Sequence, residues 1–164
     1  MNQPIHEFSG ESLYLDTMIF YLFLRVKDST ANLLFRRIQD SEFQAFTSVL
    51  TFDERAYRLL LARIRDNYPG NPLDQLRQNE QERIAEFSSE IESVLSKLQI
   101  FPNLSLIDLV STDLATFCQN MQQYHFRPRD ALHLAAMQKV SCSAIVSQDS
   151  DFDHIADIQC YKLS

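Results

Sequence analysis

Apolar positions recur in two rhythms along the chain, and turn-forming residues mark most of the changes between them. Leu13 and Leu15 alternate with polar or amphipathic neighbours and predict a strand over 12–16. A helix is expected over 17–25, and another over 30–39 with Leu33, Leu34 and Ile38 on one side. A β-prone run, 44–48, leads into a helix over 50–67. Tyr68, Pro69, Gly70, Asn71 and Pro72 then read as a turn that ends that helix. Ile84, Phe87, Ile91, Val94 or Leu95, and Leu98 have helical spacing and predict a helix over 78–98. After a break at Pro102, a strand is expected over 104–109. Ser111, Thr112 and Asp113 are cap candidates for a helix carrying Leu114, Phe117, Cys118 and Met121. Pro128 opens a helix reaching about 140, because proline is favoured in a first turn. Strands over 143–147 and 158–163 complete the pattern. Alternating strands and helices predict βαβ units, an α/β fold whose mainly parallel sheet carries helices on both faces.

Length and composition narrow the picture. A chain of 164 residues is the size of one ordinary domain, so 1–164 is read as a single unit with a real core. Only two glycines occur, Gly10 and Gly70. That excludes a dinucleotide fingerprint, a Walker A loop and a G-x-S-x-G elbow, each of which needs clustered glycines. Cys118, Cys142 and Cys160 form no C-x-x-C pair, and an odd, scattered set points to a reducing compartment. Small buried thiols are the expectation for them. The first residues lack the basic and apolar regions of a secretory signal, and no apolar run approaches the ~20 residues of a membrane span. A cytoplasmic protein without a membrane segment is expected.

The chemistry lies in where the acids sit. Asp16 ends the first predicted strand, and Asp149 lies just past a later one. Ligand sites of parallel sheets form at the carboxyl ends of strands. Glu54 falls within the stripe Leu50, Tyr57, Leu61 and Ile64 of its helix, and Asp130 shares a face with Leu134 and Met137. A carboxylate on a core-facing stripe is costly unless it is paired or binds a metal. The alternative is an acid favoured by a helix end. If these carboxylates converge, they cannot all stay ionised unaided. A divalent cation would resolve the conflict, and oxygen-only ligands select Mg²⁺, Mn²⁺ or Ca²⁺. Such a site can activate water against a phosphodiester.

Four blocks carry a family resemblance: Leu13-Tyr-Leu-Asp-Thr-Met-Ile-Phe, Ser48 with Glu54, Arg129-Asp-Ala-Leu-His-Leu-Ala-Ala, and Ile145-Val-Ser-Gln-Asp-Ser-Asp-Phe. As an ordered set spanning most of the chain they resemble a PIN domain, most closely the VapC-type toxins of bacterial toxin–antitoxin pairs. The resemblance implies a three-layer α/β/α sandwich and a Mg²⁺- or Mn²⁺-dependent endoribonuclease with one or two ions. It maps the family's acids onto Asp16, Glu54, Asp130 and Asp149, and its accessory polar positions onto Thr17 and Ser147. Met18 stands where the family often has Asn or Ser. RNA as substrate, a cognate antitoxin and a homodimer are implied in the same way.

Other assignments compete. Asp149, Asp151 and Asp153 have the rhythm of a calcium loop, but His154 and Cys160 stand where its Gly and Glu belong. Asp151 and Asp153 are either auxiliary site residues or helix-cap acids. Met18 breaks the D-x-D-x-T pattern of an aspartyl phosphatase. A catalytically silent partner-binding module on the same fold is the main alternative to a nuclease. His133, one turn after Asp130, is either a packed histidine or a neighbour of the site. Arg55, Arg58, Arg127 and Arg129 are candidate phosphate contacts, since guanidinium forks match phosphates bidentately; the alternative is solvated helix charge. Net charge is −7, with 22 acids against 15 bases; without the four proposed ligands it would be −3. An acidic chain can therefore present a phosphate-compatible cleft once cations are bound.

Overall fold

The computed structural model describes residues 3–163. Six strands form one parallel sheet: β1 (Gln3–Pro4), β2 (Ser12–Leu15), β3 (Gln44–Ser48), β4 (Leu104–Ile107), β5 (Ala144–Val146) and β6 (Gln159–Lys162). Their spatial order is β1-β6-β5-β2-β3-β4, and every pairing is parallel. The chain runs from β2 to β3 on one side and later places β5 on the other. Strand β2 is thus flanked by β3 and β5, and the carboxyl ends of all three open on one crevice.

The helices are α1 (Thr17–Tyr21), α2 (Ser29–Gln39), α3 (Val49–Asn67), α4 (Pro72–Gln78), α5 (Glu80–Gln99), α6 (Leu114–Tyr124) and α7 (Pro128–Lys139). They layer the sheet as α/β/α. On one face Leu13, Leu15, Ala45 and Val146 pack with Ile19, Phe20, Leu34, Phe35 and Ile38 of α1 and α2. On the other, Tyr14 and Ile145 pack with Ala131, Leu134 and Met137 of α7. Both faces of the central strand are covered, so Leu13, Tyr14 and Leu15 are all fully buried. The alternation expected over 12–16 therefore does not correspond to an exposed face.

Most expected elements are present, with informative departures. The first helix is α only to Tyr21, continues as a π-helical stretch over Leu22–Val26, and ends on Lys27 at φ 56°. Helix α4 lies between the turn expected over 68–72 and the helix expected from 78, over residues for which no element is expected. Asn71 caps it by accepting from the Leu73 amide at 2.8 Å, with Pro72 in the first turn. Helix α3 has already ended at Asn67, with Tyr68 as its C-cap, so the turn between the two helices is only Tyr68 to Asn71. Strand β4 ends at Ile107 rather than 109. Cys142 and Cys160 are buried, but Cys118 is exposed, against expectation. No helix among the described residues is long and apolar enough to cross a membrane.

The burial of α3 also differs from the expected stripe. Tyr57 is 49% exposed, while Arg55 is 1% exposed. The buried face runs through Thr51, Arg55, Ala62 and Ile64. A long arginine stem can line an interior as an apolar residue does, and hydrophobicity alone does not reveal it.

Candidate active site

Each acid of interest is placed by the end of an element. Asp16 follows β2 and caps α1, its Oδ1 accepting from the Thr17 amide at 2.6 Å. Its Oδ2 accepts from Ser147 Oγ at 2.5 Å, across from β5. Ser147 is 2% exposed, and its oxygen also accepts from the Asp149 amide at 3.0 Å. One hydroxyl thus ties Asp16 to the loop carrying Asp149. Asp149 Oδ1 in turn accepts from the Asp151 amide at 3.2 Å. Asp130 lies in the first turn of α7, and Glu54 in α3.

All four acids line one cleft of about 390 Å³, with Thr17, Met18, Arg58, His133, Gln148 and Ser150 completing the wall. Gln148 and Ser150 carry no sequence signal beyond adjacency to Asp149 in one short loop.

Electrostatics set the acids apart from one another. Desolvation raises the Asp130 pKa, and the charges of Asp151, Asp149 and Asp16 raise it further, to about 6. Glu54 behaves oppositely. Burial alone would raise it, but hydrogen bonds from His133 and Thr17, the charge of His133 and the bond from Arg129 together hold it down to about 2. Arg129 Nη1 donates to Glu54 Oε1 at 2.7 Å, and Thr17 Oγ1 donates to Oε2. His133 Nε2 lies 3.5 Å from that same oxygen. Behind it, Tyr14 Oη lies 2.7 Å from His133 Nδ1 and donates to Ser48 Oγ at 3.0 Å. Burial pushes the Tyr14 phenol upward, so it stays protonated. His133 is therefore both of its sequence alternatives at once: packed at 3% exposure, and directed at Glu54.

The remaining candidates separate. Arg58 lines the cleft. Arg129 is spent on Glu54, with Asp53 3.8 Å away. Arg127 is exposed at the N-terminus of α7, outside the cleft wall. Arg55 is not among the residues of this cleft, against its candidacy as a contact beside Glu54: it is buried on another side of α3. Asp151 acts on Asp130 through its charge without lining the cleft, whereas Asp153 pairs with Lys162 at 3.5 Å, away from it.

A family model for the PIN domain matches residues 13–158. The chain belongs to the PIN domain family. Solved PIN-like structures agree in fold. VapBC2 from Rickettsia felis, bound to a DNA fragment from its promoter, is 11% identical, with 93% of this chain and 99% of that one covered and a TM-score of 0.63. A toxin–antitoxin complex from Klebsiella pneumoniae is 14% identical, with 89% and 94% covered and a TM-score of 0.52. FitAcB from Neisseria gonorrhoeae is 16% identical, with 91% and 96% covered and a TM-score of 0.50. No curated protein sequence matches the chain.

Whether this PIN domain's acids suit a divalent ion can be judged from the cleft itself. Among the described residues, no three His, Cys, Asp or Glu side chains stand close enough to grip an ion without moving. Both Glu54 oxygens are held by protein donors, while burial, and after it the charges of Asp151, Asp149 and Asp16, raises the Asp130 pKa to about 6. An all-oxygen donor set carrying surplus negative charge is the chemistry that Mg²⁺ or Mn²⁺ prefers. The residues present fit such an ion.

Proposed function

We propose that this PIN domain is a metal-dependent endoribonuclease, the toxin of a toxin–antitoxin pair. The observation that carries the proposal is the cleft in which Asp16, Glu54, Asp130 and Asp149 meet at the carboxyl ends of adjacent strands. Asp16, Asp130 and Asp149 would hold one or two Mg²⁺ or Mn²⁺ ions, with Glu54 as a further ligand. A bound ion there supplies an activated water and charge stabilisation for phosphodiester hydrolysis.

The chain's own residues do the positioning. Ser147 and the Thr17 amide fix both oxygens of Asp16. Thr17 and His133 fix one oxygen of Glu54, and Arg129 holds the other. Were Glu54 to turn to an ion and release Arg129, that guanidinium would be free to face a substrate phosphate beside Arg58. Gln148 and Ser150 offer neutral hydrogen-bonding groups on the same wall.

A partner follows from the relatives. The R. felis structure is of VapBC2, and the K. pneumoniae structure is named as a toxin–antitoxin complex. A cognate antitoxin, an RNA substrate, a homodimer and a cytoplasmic setting belong to this same reading. The competing role, a silent docking module, draws its support from the Arg129–Glu54 ion pair, which occupies a ligand position.

One experiment separates the two. Wild type, Asp16→Asn and Asp149→Asn are compared for Mn²⁺ binding by calorimetry and for RNA cleavage with Mn²⁺ or chelator. Loss of a ligand should cost more than the roughly 10–100-fold that an outer-shell partner costs. Full cleavage by either variant, or by wild type in chelator, would overturn the nuclease; absence of Mn²⁺ binding would favour the docking module.

A further inference from the structure

A second cavity, of about 260 Å³, lies between the π-helical stretch after α1, helix α3 and helix α5. It shares no lining residue with the acidic cleft. Glu54 and Arg55 are adjacent on α3, and a helix turns about 100° per residue, so they serve different cavities. Leu24, Leu59, Ile91 and Val94 form its apolar wall.

Its polar side is cationic. Arg55 is 1% exposed, and no acceptor among the described residues reaches its Nε, Nη1 or Nη2. The face of the Tyr21 ring lies 5.6 Å from its guanidinium carbon. Desolvation lowers its pKa to about 10, so the group stays charged at neutral pH. A buried ion with no counter-ion is a costly arrangement that proteins seldom keep without compensation. The other cations of the wall differ. Arg25 is neutralised by Asp66 and Arg63 by Glu90. Lys27, exposed at the rim, forms no ion pair among the described residues. The cavity therefore holds two uncompensated positive charges within a chain of net charge −7.

We propose that this cavity binds a small phosphate-bearing ligand, with its dianionic head on the Arg55 fork and Lys27 and any short apolar part against Leu24, Leu59 and Ile91. Two surplus cations match a phosphate dianion better than a single carboxylate charge. The volume is several times the ~30 Å³ of a liquid water but below the ~300–1,000 Å³ of drug-sized sites. That room suits free phosphate or a short phosphomonoester. An RNA backbone is a poor match, because Arg55 is almost wholly buried. The assignment stands independently of the nuclease reading.

Thermal unfolding in excess chelator tests it, since the metal-free acidic cleft repels phosphate. Inorganic phosphate is titrated against chloride at constant ionic strength, with acetate and butyl phosphate as parallel arms. For wild type the expected result is a saturable rise in Tm on the order of several degrees. Butyl phosphate acts at lower concentration than phosphate if the apolar wall is used; equal potency assigns the site to free phosphate. Arg55→Met is expected to lose the response while matching or exceeding the ligand-free wild type in Tm. Lys27→Ala, at an exposed position, keeps the fold and weakens phosphate binding severalfold even if Arg55→Met does not fold. No saturable shift in wild type, an equal shift with acetate, an undiminished shift in Arg55→Met, or unchanged affinity in Lys27→Ala would each overturn the proposal.

Discussion

Asp130→Asn should make the metal-free protein more stable, although the residue belongs to the candidate site. The carboxyl titrates near 3.8 when unperturbed and at about 6 in the fold. Between those values the folded state keeps a proton that the unfolded state has lost. Stability therefore falls as pH rises from about 4 to about 6 and stays reduced above that. At about 1.4 kcal/mol per pKa unit, the displacement corresponds to roughly 3 kcal/mol. Water in an open cleft screens part of this, leaving about 1–2 kcal/mol. Asparagine keeps the shape and removes the charge. In chelator near pH 8 the variant should resist urea by that amount and gain a few degrees in Tm. Below about pH 4 the two proteins should converge, because both side chains are then neutral. Added Mn²⁺ should reverse the order, stabilising wild type and hardly affecting the variant. A variant less stable than wild type near pH 8 in chelator would refute the crowding of Asp130 by Asp16, Asp149 and Asp151.

Other outcomes follow from the same geometry. Proton and metal compete for Asp130, so wild-type Mn²⁺ affinity should weaken as pH falls through about 6; calorimetry showing a flat profile there would contradict this. Tyr14→Phe strips a fully buried hydroxyl from Ser48 and His133. Leaving those groups unsatisfied should cost about 1–3 kcal/mol by urea unfolding, and an unchanged midpoint would argue against the network. Gly70 sits at φ +90°, and an added Cβ would meet nothing within 4 Å. Gly70→Ala should therefore lose roughly 1–2 kcal/mol through backbone strain alone, and a neutral result would deny that conformation in solution.

The chain's apolar rhythm was enough to reveal the α/β order, since burying both faces of a parallel sheet requires apolar runs in β2 and β5 and one-sided stripes in the helices. Asp16 and Asp149 were legible because strand ends are local features, and the ends of parallel strands share one side of the sheet. Helix α4 was not, because Asn71 and Pro72 are equally good as a turn and as a helix start. Only packing on α3 and α5, with Leu76 joining Ile64 and Phe87, selects the helix. Arg129 was legible as a cation near the site, yet its partner, Glu54, lies 75 residues away in sequence, and pairing at that range is decided by how α3 meets α7. Arg55 marks the limit most clearly. Its charge placed it on the surface by every local rule, and the fold buries it beside a cavity. A sequence records which side chains can be buried cheaply through its local periodicity. Which charges are buried at cost, and what must compensate them, depends on groups brought together from distant parts of the chain, and that is settled only in three dimensions.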